Sequence, residues 1–189
     1  MRHDGVVNAL IDCARRACID ATNKQRYSEL GSPLPNAARG DALLMMPGTA
    51  HRGAERLCAD VSFVCPTSKT YVAAAARTRG HCSDTREKEK HRAFRGHGEA
   101  GLGFRAFAVE TYGRLGHDAM RLLRDIAHVA SSTGRVNRAR LLSSAFQQIS
   151  VAVCIGNAEM IRRNLDKYVK ASGRIFSEGL PLPQAELAD

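Results

Sequence analysis

Two aspartates interrupt the apolar stretches of this chain. Asp41 opens the run Ala42-Leu43-Leu44-Met45-Met46, and Asp60 lies in the middle of the stretch from Leu57 to Cys65. An ionised carboxylate among apolar neighbours is costly unless it is paired or bound to metal. If the two stretches are adjacent strands, both carboxylates converge at one edge of a sheet. Two carboxylates, waters and a phosphate oxygen make a site for Mg²⁺ or Mn²⁺, because Mg²⁺ takes oxygen ligands and keeps several waters. Such an ion polarises a phosphate and lowers the pKa of an attacking water. Read singly, Asp41 after Gly40 suits a turn and Asp60 suits a buried ion pair with an arginine. Together, on a basic chain, they favour the metal.

Lys90 is the third candidate. It stands four residues before Phe94, so on a helix the two share a face. With Phe94 in the core, Lys90 points at the sheet, where it can hold a phosphate or position a water. Lys88, in the charged run Arg86-Glu87-Lys88-Glu89-Lys90, better suits a solvated helix face, which is the commoner fate of such runs. Glu110 closes a strand just before Thr111-Tyr112-Gly113; it either supports the site or caps the helix that follows. The histidines are scattered and form no triad pattern. Gly101-Leu102-Gly103-Phe104 precedes a strand, which is the wrong context for a phosphate loop. None of the six cysteines forms a C-x-x-C pair. The spacing of Cys58, Cys65, Cys82 and His81 is irregular for zinc, and small buried thiols fit a reduced intracellular protein.

The elements that must position these residues follow from hydrophobic period and breakers. Val6 to Cys18 predicts an amphipathic helix with Asp4 near its start, and Gln25 to Leu30 a weak strand before the break at Gly31-Ser32-Pro33. Ala42–Met46 predicts a buried strand. Leu57–Cys65, apolar on both faces, predicts a strand inside a sheet. Thr70 to Arg95 reads as helix broken near Gly80, Phe104–Thr111 as strand and His117–Ser131 as helix. A long helix follows Gly134, with Leu142, Ala145, Phe146, Ile149, Val153, Met160, Ile161, Leu165 and Tyr168 in helical spacing. A loose tail is expected from Gly173. The order implies an α/β fold: a small mixed sheet flanked by helices.

Composition narrows the function classes. The 189 residues suffice for one ordinary domain. Lys and Arg total 28 against 19 Asp and Glu, a net charge of +9, which favours a polyanionic partner. Arg suits bidentate phosphate contact. Aromatic residues make up only 5% and Trp is absent, which argues against base stacking on a single strand and for the backbone of duplex DNA. Met1-Arg2-His3-Asp4 meets charge at once, and no apolar run approaches the length of a membrane span. The expectation is an intracellular protein with no membrane partner.

These residues carry a resemblance. Arg39-Gly40-Asp41, Ala59-Asp60-Val61-Ser62 closing at Pro66, Lys90 with Phe94, and Phe107-Ala108-Val109-Glu110-Thr111-Tyr112-Gly113-Arg114-Leu115-Gly116 resemble a restriction-endonuclease-like domain. This is the domain found beside the reverse transcriptase of some non-long-terminal-repeat retrotransposons, a branch of the PD-(D/E)XK nuclease superfamily. The similarity covers roughly residues 1 to 131, followed by a helical C-terminal extension over 132–172 and a flexible tail over 173–189. It implies a PD-(D/E)XK-like α/β core, with Asp41 and Asp60 as the acidic, metal-holding positions and Lys90 as the lysine. It also implies Mg²⁺- or Mn²⁺-dependent nicking of target duplex DNA in the nucleus, in company with a reverse transcriptase or the element's RNA. Gly40 precedes the first acid where the pattern has Pro. Ser62 stands where the pattern has its lysine, so that role passes to Lys90. Two other readings use the same residues: an inactive DNA-binding remnant of the fold, or a helical interaction protein in which the acids are structural and lie far apart.

Overall fold

The computed structural model describes residues 2–26, 39–47, 55–95, 102–132, 134 and 136–177. Its elements in chain order are α1 (Arg2–Arg16), β1 (Asp20–Arg26), β2 (Arg39–Met46), β3 (Glu55–Val64), α2 (Val72–Ala75), α3 (His81–Phe94), β4 (Leu102–Glu110), α4 (His117–Ser132) and α5 (Arg138–Ser177). The four strands form one mixed sheet in the order β1-β2-β3-β4. β1, β2 and β3 pair antiparallel, and β4 joins β3 in parallel. A parallel neighbour needs a crossover, and α2 and α3 supply it.

The sheet buries its two faces differently. Leu57, Ala59 and Val61 of β3 and Ala42 and Leu44 of β2 join the main core with α1, α4 and α5. The alternate residues face α3, where Cys58 and Leu102 pack with Leu43 and Phe94. Strand alternation therefore puts Asp41 and Asp60 on the α3 face. Lys90 shares that face of α3 with Phe94, whose ring stacks on Phe104 at a centroid distance of 4.2 Å.

Several elements differ from expectation. The first strand starts at Asp20, earlier than the expected Gln25, and the remainder of that stretch, with the Gly31–Asn36 break, lies outside the described residues. The break expected near Gly80 is there: α2 ends at Ala75 and α3 starts at His81 after Gly80, whose φ of 81° is left-handed and suits glycine. The C-terminal helix runs to Ser177, past the expected loose tail at Gly173, and only 178–189 lie outside the described residues. Leu141, Ala145, Ile149 and Val153 at the start of the C-terminal extension sit in the same core as Val6 and Leu10 of α1. Fully burying Leu141, Ile149 or Val153 contributes about 1.5–3 kcal/mol each.

Candidate active site

The sheet forks at the two aspartates. β1 and β2 stay paired as far as Arg26 with Arg39, and β3 and β4 as far as Val64 with Glu110. The β2–β3 ladder ends at Ala42 with Ala59. One step further, Asp41 and Asp60 stand opposite each other on the same face, and their carboxyl groups are hydrogen-bonding neighbours. Like charges directly opposite in a sheet repel, so this pair needs compensation.

The compensation comes from two helices on opposite sides. From α3, the Lys90 ammonium donates to Asp60 Oδ2 at 2.7 Å. From α1, His3 Nε2 lies 3.1 Å from Asp41 Oδ2 and 3.1 Å from the Val61 carbonyl. The Val61 N–H donates to Asp41 Oδ2 at 2.7 Å. Where β2 leaves β3, Val61 would lose ladder partners that its buried backbone cannot do without. The Asp41 carboxylate and the His3 ring take their place. His3 was missed in the sequence because nothing near it in the chain signals the contact; α1 has to be packed on the sheet before the ring meets Asp41.

The two acids are not equivalent. Burial raises the Asp60 carboxyl above the usual carboxylate value, the neighbouring Asp41 adds to this, and Lys90 only partly offsets it. Burial also acts on Asp41, but His3, the Val61 N–H and the hydrogen bond from Asp60 outweigh it and hold Asp41 below the usual value. Of the two, Asp60 is therefore the acid that ionises less readily. His3 is raised in turn, chiefly by its hydrogen bond to Asp41.

Next to His3 a cavity of about 330 Å³ opens between α1, Phe63 and α5, with Arg2 and Arg163 on its wall. The Arg2 guanidinium lies over the Phe63 ring at 4.2 Å and donates to Asn157 at 2.7 Å. Asn157 also donates to the Thr111 carbonyl at 2.7 Å, tying α5 to both α1 and the end of β4.

Glu110 is not brought to this group. It is buried at the far end of β4, where its Oε1 accepts from the Ser83 N–H at 3.3 Å and the Ser83 hydroxyl at 3.1 Å. The helix that Glu110 caps is α3, the one before it in the chain, and not the one after. The reason is Gly80. It occupies the N-cap position without a side chain, so the orphan N–H groups of the first turn need an acceptor from elsewhere. Glu110 thus positions the helix that carries Lys90. Glu110→Ala is expected to cost about 1–2 kcal/mol, the usual worth of a lost cap. Faster amide exchange confined to the first turn of α3 and to Lys90's helix would show it; uniform exchange across the domain would not fit.

The charged run on α3 divides in the same way. Lys88 is exposed, as expected of a solvated face. Glu87, expected there too, is buried, and its carboxylate accepts from the N–H groups of Asp118 and Ala119 at 3.0–3.3 Å. It caps α4 from outside, and burial raises its pKa. A Cβ at Gly116 would come within 2.0 Å of that carboxylate, which accounts for a glycine at the start of α4. His91 pairs with Asp118 beside it.

The donor set at the fork fits a hard divalent cation in part. Two carboxylates face each other with one lysine, and Ser62 Oγ, two residues along β3 from Asp60, is buried without a hydrogen-bond partner among the described residues. Among those residues no three His, Cys, Asp or Glu side chains come together to hold a metal, so an ion here would keep most of its waters, as Mg²⁺ commonly does. The orphaned Ser62 hydroxyl is a ready partner for one of them. No protein-family model matches the chain, and no curated protein is detectably similar to it in sequence.

Proposed function

We propose that the chain is a metal-dependent endonuclease domain of retrotransposon origin, which hydrolyses a phosphodiester to nick duplex DNA. The observation that carries this is the meeting of Asp41, Asp60 and Lys90 at the fork between β2 and β3. The resemblance implies that layout: two acids on neighbouring strands of a small mixed sheet and a lysine on a following helix. The helical-interaction reading expected the acids to lie far apart, whereas they stand opposite each other one step beyond the β2–β3 ladder.

Asp41 and Asp60 would hold Mg²⁺ or Mn²⁺, which when bound stabilises charge on a phosphate and activates water. The chain's own residues prepare for this. Val61 and His3 fix the Asp41 carboxylate in its ionised form. Asp60, whose carboxyl burial and Asp41 raise above the usual carboxylate value, is held by Lys90 beside Asp41, where a bound cation would favour its ionised form. Lys90 then has its ammonium beside the reacting centre, placed to hold a phosphate oxygen or orient the attacking water. Arg2 and Arg163, on the adjoining cavity wall, suit the duplex backbone. The reading extends to a nuclear location and to a reverse transcriptase or its RNA template as partner, since a nick supplies the 3′ end that primes synthesis.

The test is relaxation of supercoiled plasmid by the purified chain with Mg²⁺ or Mn²⁺, against an EDTA control. Metal-dependent nicking is expected, with DNA affinity falling steeply as salt rises. Salt-sensitive binding without nicking in either metal would identify the inactive DNA-binding remnant. Neither binding nor nicking would overturn both.

A further inference from the structure

The first part of α5 is core, but the rest projects from it. Of the ten large apolar side chains exposed among the described residues, seven are on α5: Val151, Ile155, Met160, Ile161, Leu165, Tyr168 and Val169. Val151, Ile155, Ala158, Leu165 and Val169 follow the alternating three- and four-residue spacing of a helix-pairing seam, interrupted only at Arg162. Single exposed apolar residues need no explanation, whereas a contiguous stripe marks an interaction surface.

The stripe begins in a groove between α1 and α5. This cavity of about 570 Å³ is lined by apolar Ala9, Val151, Ala152 and Ile155 and by acidic Asp4, Asp12 and Glu159. The lining is acidic on a chain with a net charge of +9. The opposite charge lies further along the same helix, at Arg162, Arg163, Lys167 and Lys170, offset only by Asp166, which pairs with Arg162 at 3.7 Å.

We infer that α5 pairs antiparallel with α5 of a second copy of this chain, each projecting end lying along the other's acidic groove. Charge chooses both occupant and direction. A parallel pair sets the two basic ends side by side; an antiparallel pair sets each against Asp4, Asp12 and Glu159. A two-fold axis level with Met160 puts the seam in register with itself: Val151 opposite the second copy's Val169, Ile155 opposite its Leu165, and small Ala158 opposite its Arg162, which leaves room for that arginine. The second copy's Lys167 and Lys170 then fall near Asp12. Such an interface is self-complementary, as two-fold symmetry requires.

Sedimentation equilibrium of the full chain tests this. The expected result is a mass near twice 20.5 kDa at micromolar concentration. Leu165 is 59% exposed, so Leu165→Glu leaves the fold intact, as circular dichroism can verify, and is expected to weaken association at least about tenfold. Lys167→Glu is expected to weaken it less, and adding Asp12→Lys on the same chain to restore it, because the reversed charges meet again across the axis. A wild-type monomer at all concentrations, unchanged association in Leu165→Glu, or no rescue by the double reversal would each overturn the proposal. So would a monomer that floats with lipid vesicles. Within Arg138–Lys170, α5 holds an 18-residue window of mean hydropathy 1.2, long and apolar enough to cross a bilayer by length and composition alone, and that result would assign the stripe to lipid. Plasmid nicking plays no part in these outcomes.

Discussion

Asp60→Asn is expected to abolish metal-dependent plasmid nicking while leaving the folded domain within about 1 kcal/mol of wild type, the range of substitutions that create no cavity or orphaned charge. A metal at a reacting phosphate is worth several kcal/mol of transition-state stabilisation, and each 1.36 kcal/mol is tenfold in rate. Loss of one of two carboxylate ligands should therefore slow nicking by about 10³-fold or more. Stability moves differently because of the sign of the pKa shift. The folded Asp60 carboxyl is raised, by burial first and by Asp41 second. Its contribution is fully present below the unfolded value and is lost as pH rises through the folded one. Asparagine has nothing to ionise. Thermal unfolding of Asp60→Asn should thus depend less on pH from the ordinary carboxylate range upward, and should gain on wild type towards neutral pH. Lys90 loses its partner but is still partly exposed, so water limits that cost. Nicking at wild-type rate would remove Asp60 from the reaction; a variant that fails to fold would mean that its ion pair with Lys90 is structural first.

Asp41 is expected to split into two effects that Asp60 does not show. Asp41→Ala removes a proposed metal ligand and also leaves the buried Val61 N–H without its acceptor and His3 with only the Val61 carbonyl. An orphaned buried donor costs about 1–3 kcal/mol, so this variant should lose both nicking and stability. Asp41→Asn keeps an oxygen for both donors and should lose nicking while retaining most of the stability. The pH dependence runs opposite to that of Asp60. The folded Asp41 carboxyl is lowered, burial being outweighed by His3 and the Val61 N–H. Its contribution is present above the unfolded value and is lost as pH falls through the folded one. His3 is raised by Asp41; its share is present below the ordinary histidine value and is lost as pH rises through the folded one. Unfolding curves for wild type, Asp41→Asn and Asp41→Ala at pH 4, 6 and 8 would show this. Equal stability of the alanine and asparagine variants at every pH would refute the account of the fork.

The positions of the acids were legible in the chain because strand alternation is local. Asp41 and Asp60 stand in short apolar runs bounded by Gly and Pro, and antiparallel pairing of these runs in the register Ala42↔Ala59 sets the two acids opposite each other. The direction of Lys90 was legible for the same reason, through the helical spacing to Phe94. Glu110 could not be placed this way. Its strand was recognisable, but which helix it caps depends on how the crossover through α3 returns beside β4, and Ser83 lies far back in the chain. Glu87 looked like solvated charge because the run around it is charged; its burial follows from α4 packing its first turn onto α3.

By itself, then, the sequence determined the strands and helices other than β1, the face on which each acid and the lysine stand, and the excess of positive charge. All of these rest on periods of two and 3.6 residues or on counting. Only the tertiary structure decided that the β2–β3 ladder stops one residue short of the acids, that His3 fills the gap, that Glu110 and Glu87 serve as caps, and that α5 is part core and part projecting stripe. Each of these is an unmet backbone or apolar group satisfied by a residue distant in the chain. The need is written locally, but the partner is chosen by packing, which brings together groups that no spacing relates.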